Sequence, residues 1–404
     1  MRIDSQICAR RGGQERPRSN RQLLFAGFPL ALLLLTFGAG GARAELTTNG
    51  EVAGLRAQFT NVNGVRTRYY EMGEGEPLVL VHGGGWSGHS SANVWSKNIP
   101  LFAKRFHVFA PDRLGSGMTE NPKDDNELNI QGEVDHIYDF IREMKLGMVH
   151  LVGESRGGGC VFFLALQHPE VVRDLVIVDS NTAAPGAPAT SVKAPAQCPK
   201  QPDWEEWKCR VRAISSLPDQ AFDDEYFMAG KYMSLLPKSA ETMAKLKAGA
   251  GGELATTEGF NKWKTEWHQR IRKEGVLQMP VLIYWGRNDP AAPLANGSAL
   301  HDLLAAQNPH VQMMIQDQAG HFPFREYPEE FVSNVTNFIV DADETQTSAN
   351  PPGSSQVTPS LKLRRQVPPQ QQKLTFFGIY ATISLRLLLL YKPLDLLEGA
   401  ASSI

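Results

Sequence analysis

Apolar and polar positions between residues 45 and 340 follow two alternating periods. Short runs rich in Val, Ile and Leu end at Val81 ("PLVLV"), Ala110 ("FHVFA"), Gly153 ("MVHLVG") and Asp179 ("DLVIVD"), and "PVLIYW" and "VQMMIQ" supply two more. Uninterrupted apolar runs of this kind predict strands buried on both faces. Helix-length segments such as "ELNIQGEVDHIYDFIREMK" and "GGGCVFFLALQHPEVV" lie between them. Strand–helix alternation predicts an α/β fold with a doubly wound, mainly parallel sheet. Ahead of these, "FTNVNGVRTRYYEMG" reads as a hairpin turning at Asn63-Gly64. The rhythm breaks once, over residues 182–274, where the patterns are helical and Trp204, Trp207, Trp263 and Trp267 are concentrated. This segment is expected to be a helical cap over the carboxyl edge of the sheet, where open α/β sheets bind ligands.

The ends read differently. An arginine-rich stretch precedes the apolar run Leu23 to Gly41, and Ala42 and Ala44 follow it. Basic region, short apolar core and small-residue site predict a secretory signal over residues 1–44, cut before Glu45, and hence a secreted or periplasmic protein. A membrane anchor is the alternative reading, for which the Leu-rich core is short. Residues 341–373, rich in Pro, Gln and Ser, predict a disordered linker. Residues 374–391 are apolar but interrupted by Arg386, so 341–404 holds a linker and a tail that is either membrane-associated or without function. Cys198 and Cys209 are placed to form a disulfide in an oxidising compartment, with two unpaired thiols as the alternative; Cys160 reads as a core residue. A net charge of −2 over 404 residues gives no reason to expect nucleic acid as a partner.

Candidate chemistry centres on "LVGESRGGG". Ser155 follows a strand and precedes a helix, with Gly153 and Gly157 clearing space for a sharp turn that lifts the hydroxyl above the sheet. A serine hydroxyl needs a base, and the base an orienting acid. In the order Ser, acid, His, Asp289 ("GRNDP") and His321 ("QAGHF") stand just past predicted strands, and Asp179 is the rival acid. His107 and His150, inside strands, read as core or sheet-face residues. "HGGG" at His82 to Gly85 lets backbone N–H groups approach a developing oxyanion. Gly84 and Arg156, the residue after the nucleophile, are the candidate donors. A phosphate-binding reading of that loop lacks the Lys-Ser/Thr ending.

Together, "VHGGG", "APDRLGSG", "VGESRGGG", "YWGRNDPAAP" and "AGHFPFREYPEEF" resemble the α/β-hydrolase fold superfamily from Asn61 to Val340. The resemblance implies nucleophile Ser155, acid Asp289 and base His321, a small-molecule substrate, and no metal or organic cofactor. Within the superfamily the chain is similar to the capped hydrolases that include the meta-cleavage-product C–C hydrolases. Those enzymes usually carry Pro where Trp86 stands and Trp where Phe322 stands, and both positions are expected in the substrate pocket. No residue here is matched to their cap arginine. The leading expectation is an exported serine hydrolase of carboxylic esters. The alternative is a C–C hydrolase of a vinylogous diketone acid, and the second alternative a noncatalytic receptor on the same fold. Acyl transfer to an acceptor other than water stays open.

Overall fold

A computed structural model describes residues 49–349, apart from 53, 87 and 187–194. The predicted signal segment, residues 350–373 of the predicted linker and the apolar tail lie outside the described residues. The strands are β1 (Gln58–Val62), β2 (Val65–Met72), β3 (Pro77–Val81), β4 (His107–Pro111), β5 (Val149–Glu154), β6 (Val172–Val178), β7 (Val281–Gly286) and β8 (Val311–Gln316). They form one sheet in the order β1-β2-β4-β3-β5-β6-β7-β8. β1 pairs antiparallel with β2, β2 antiparallel with β4, and every later pairing is parallel. The hairpin turns where its residues allow it: Asn63 and Gly64 both have positive φ, +50° and +87°, as a two-residue hairpin turn requires.

The central strands are apolar without a break because helices cover both faces. In β3, Val79 and Val81 join one core cluster while Leu78 and Leu80 join the other. β6 and β7 split likewise, with Ile177 and Ile283 on the first side and Val178 and Tyr284 on the second. The first cluster holds the helices Ile130–Glu143, Ser155–Gln167 and Leu294–Ala305. Ile130–Glu143 shows why it forms. Asn129 Oδ1 accepts from the N–H groups of Gln131 and Gly132, and Ile130, Val134, Ile137 and Ile141 bury one face. The second cluster receives the helix Pro328–Ala349.

The helices Asp203–Ala213, Asp224–Ser234 and Pro237–Lys247 follow β6. Trp207, Tyr226 and Phe227 extend the second cluster into them. Arg325, fully buried, fastens them down: its Nε donates to Ala221 O at 2.9 Å and its Nη1 to Val94 O at 2.7 Å. Cys198 and Cys209 are joined in a disulfide.

Two expected boundaries shift. The helix Thr257–Glu274 was expected in the cap, but Phe260 and Ile271 are buried in the first core cluster, and Trp263 lies 4.3 Å, centroid to centroid, from Phe163. Its aromatic face is spent on the helix that follows Ser155. At the other end, the expected linker begins inside a helix, because Pro328–Ala349 runs through residues 341–349. The segment starts with acids and polar residues that favour a helix, and its Pro-rich part comes only afterwards. Among the described residues, no helix is long and apolar enough to cross a membrane.

Candidate active site

Ser155 sits between β5 and the helix Ser155–Gln167 with φ +51°, a left-handed conformation that non-glycine residues rarely adopt. The flanking glycines are needed for space. A Cβ on Gly157 would lie 2.4 Å from both Val81 O and His82 O, and one on Gly153 would lie 2.4 Å from Gly157 O. Backbone carbonyls cannot move aside as a flexible side chain does. Gly157→Ala is therefore expected to displace Ser155 and cut kcat on the order of 10²-fold. Measured kcat and Tm check this; wild-type values in both would contradict the close approach.

His321 Nε2 lies 3.1 Å from Ser155 Oγ, and His321 Nδ1 lies 2.7 Å from Asp289 Oδ2. The other Asp289 oxygen, Oδ1, accepts from the N–H of Ala291 at 2.6 Å and of Ala292 at 2.9 Å. Both residues are buried. Burial alone would lower the proton affinity of His321. The charge and hydrogen bond of Asp289, with Glu154 and Glu326 behind them, outweigh it and leave the imidazole above its ordinary value. Such a relay can take a hydroxyl proton from Ser155 and hold it on a stabilised imidazolium.

The cap takes part in placing the histidine. Ile214 O accepts from His321 N at 2.9 Å. Glu326 is buried beneath the same loop, with Oε2 accepting from Gly320 N at 3.0 Å and Oε1 accepting from Ser215 Oγ at 2.9 Å.

The predicted oxyanion loop is built from hydrogen bonds that the sequence does not display. Gly83 N donates to Glu154 Oε1 at 2.6 Å, so that N–H is committed. Gly84, at φ +79°, is the next residue along and lines the cavity. Arg113 is fully buried and donates to the carbonyls of His82, Gly83 and Gly84 at 2.7–2.9 Å. It also pairs with Glu133, which in turn accepts from Arg156 Nε at 2.8 Å. One carboxylate thus ties the glycine loop to the first turn of the nucleophile helix. In that turn the Arg156 N–H has no carbonyl four residues back, which leaves it open to an anion.

A cavity of about 490 Å³ opens on Ser155 and His321. Trp86 and Phe322, the expected pocket residues, both line it. The Arg156 guanidinium stands over the Trp86 ring at 5.3 Å, and Phe322 meets His321 edge-on at 5.2 Å. From the cap come Trp207, Arg210, Val211 and Ile214. Asp179, the rival acid, also lines the cavity, but its Oδ1 accepts from Gly286 N at 2.9 Å rather than meeting His321. His150 is buried against Asp174 and His107 pairs with Glu71, as sheet-face residues. Asn93 is buried outside the cavity lining, accepting from Arg68 and Tyr70. Among the described residues, no three His, Cys, Asp or Glu side chains are grouped as a metal ion requires.

Sequence reasoning missed Arg113, Glu133, Glu154, Glu326 and Arg210. The "APDRLGSG" motif contains Arg113, but its pairing with a glutamate 20 residues on has no local signature.

A nucleophile elbow on a mainly parallel sheet, with a histidine–carboxylate relay behind it, defines a serine hydrolase. Residues 76–328 match the alpha/beta hydrolase fold family, and the chain belongs to it. It is 27% identical to a 2-hydroxy-6-oxo-6-(2'-aminophenyl)hexa-2,4-dienoic acid hydrolase of Metapseudomonas resinovorans, over 76% of this chain and 99% of that one. It is also 27% identical to a pimeloyl-[acyl-carrier protein] methyl ester esterase of Aeromonas hydrophila, over 66% of this chain and 96% of that one. Among solved structures, a meta-cleavage product hydrolase from Pseudomonas fluorescens shares the fold with TM-score 0.58 at 24% identity, over 70% of this chain and 98% of that one.

Proposed function

We propose that the protein hydrolyses the carbon–carbon bond of a vinylogous diketone acid of the meta-cleavage type. Ser155 is the nucleophile, His321 the general base and then acid, and Asp289 the orienting carboxylate. The observation that carries the serine mechanism is the continuous relay from Ser155 Oγ through His321 to Asp289. The expected order of the two hydrolytic readings reverses here. The support is the relative from Metapseudomonas resinovorans, matched over nearly its whole length, together with Arg210. This guanidinium lines the cavity without an ion pair among the described residues, and a dienoate brings a carboxylate to meet it.

In this reaction the substrate reacts as its keto tautomer, the vinylogous diketone, in which the electron pair of the bond to be broken can delocalise onto the 2-oxo group. Ser155 Oγ gives its proton to His321 Nε2 and bonds to the carbon of the distal ketone. The N–H groups of Gly84 and Arg156 hold the resulting oxyanion. Collapse breaks the C–C bond, and the electron pair leaves on the dienolate fragment, which takes the proton from His321. Water, deprotonated by His321, then cleaves the acyl-serine. The products are the 2-hydroxydienoate fragment and a carboxylic acid, and Ser155 is restored by the proton that His321 took from the water.

Arg210→Met is expected to raise KM for a carboxylate-bearing dienoate by about 10–100-fold while leaving a neutral p-nitrophenyl ester within about threefold. Equal losses on both substrates would remove Arg210 as the anchor. Ester hydrolysis is the second reading, supported by the ester-cleaving relative from Aeromonas hydrophila and by the same relay. A complete relay weighs against a noncatalytic receptor.

We also infer export, supported by the Leu23–Gly41 pattern and by the Cys198–Cys209 disulfide. Intact mass of the protein recovered outside the cytoplasm is expected to place the mature start at Glu45. A retained Leu23–Phe37 segment would contradict this.

A further inference from the structure

Asp179 follows β6 and Asp289 follows β7, two strands paired side by side from Leu175↔Val281 to Val178↔Tyr284. Both carboxyls are buried at the carboxyl ends of this strand pair, Asp179 in the cavity wall. Asp179 is fully buried and has φ +44°. Its Oδ1 accepts from Gly286 N, at the root of the loop that carries Asp289. Its Oδ2 is buried, and no N–H or O–H of the described residues reaches it. The side chain that the Asp179 carboxyl meets there is the Asp289 carboxyl. Two carboxylates in contact have only acceptors to offer each other. The contact becomes a bond only if one of them carries a proton, and two full charges so close in a buried site would repel.

Asp289 is the one that receives the donors. It accepts two backbone N–H groups and the His321 N–H, and those three bonds favour a carboxylate. We propose that Asp179 is a neutral carboxylic acid that donates a hydrogen bond from Oδ2 to Asp289, a positioning residue that fixes the triad carboxylate from behind while leaving it its single charge. Burial, followed by the charge of Asp289, pushes the Asp179 carboxyl well above the ordinary range, in the same sense. The ionisable groups around it agree. Glu154, at the end of β5, adds a further opposing carboxyl; Tyr284 on β7 is uncharged; His321 reaches the pair through Asp289. Arg156, on the helix beside it, is committed to Glu133.

This inference rests on Asp289 being the triad acid, and its test reads Asp179 without turnover. The infrared difference spectrum of wild type minus Asp179→Asn, at neutral pH, is expected to show the C=O stretch of a protonated carboxylic acid. Absence of that band overturns the proposal. Asparagine keeps both the acceptor for Gly286 N and a donor for Asp289. Asp179→Asn is therefore expected to hold kcat/KM within about threefold of wild type, whereas Asp179→Leu falls by about tenfold or more. On the alkaline side, ionisation of Asp179 would place a second charge beside Asp289, so wild type should lose activity there while Asp179→Asn does not. A loss in Asp179→Asn as deep as in Asp179→Leu, or superimposable wild-type and Asp179→Asn pH profiles, would overturn the assignment even if the leucine variant fails to fold. A wrong nucleophile would instead show in Ser155→Ala and leave the infrared band untouched.

Discussion

Ser155→Ala is expected to lower kcat on the order of 10⁴–10⁶-fold with no loss of fold. The side chain is small, and among the described residues its Oγ has one partner, His321 Nε2 at 3.1 Å. Removing it takes away the bond-forming atom and leaves the glycine loop, the Arg113–Glu133–Arg156 tie and both core clusters as they are. Tm and circular dichroism should match wild type, and a dienoate should still bind. Activity above about a tenth of wild type would mean that another group attacks the substrate.

Asp289→Asn carries the second largest effect, about 10⁴-fold in kcat, or roughly 5 kcal/mol of transition-state stabilisation. Asparagine can still accept from the Ala291 and Ala292 N–H groups, so the loop survives. What disappears is the negative charge facing His321 Nδ1–H. That charge, working against burial, is what raises the imidazole above its ordinary value. The base must be neutral to work, so wild-type kcat/KM should climb with pH through a midpoint above about 6.5, the ordinary histidine value. In Asp289→Asn the midpoint should drop, since only Glu154 and Glu326 then oppose burial. The stability link has the matching sign. A histidine raised on folding adds stability below its unfolded value, and the contribution is lost as pH rises through the folded one. An unshifted acid limb in Asp289→Asn would transfer the acid role elsewhere.

The strands were legible because both faces of the sheet are covered. A strand such as Leu78–Val81 has no polar side to show, and its runs of Val and Leu are unmistakable. The nucleophile elbow was legible for a related reason: steric crowding at 2.4 Å leaves glycine as the one residue that fits at 153 and 157. Asp289 and His321 could be placed because each follows a strand end. What holds these groups could not be read. Arg113 and Glu133 are distant in sequence and meet only when the helix Ile130–Glu143 docks on the sheet. Ile214, in the cap, meets His321 across the inserted helices. The helix Thr257–Glu274 misled because aromatic content is the same whether a face covers a cap or a core; only its neighbours Phe162 and Phe163 decide. Arg210 stands in a helix whose arginines and acids look like an ordinary solvated face. The cavity alone marks it out.

The central claim is tested most directly by incubating the purified enzyme with a 2-hydroxy-6-oxo-dienoate ring-fission product and, in parallel, a p-nitrophenyl ester of matched acyl group. The readouts are loss of the dienoate chromophore and identification of the fragments. The account predicts that the dienoate splits into a carboxylic acid and a 2-hydroxydienoate fragment, with kcat/KM at least about tenfold above that for the ester, and that Ser155→Ala abolishes both reactions. Rapid ester turnover with the dienoate left intact would contradict it.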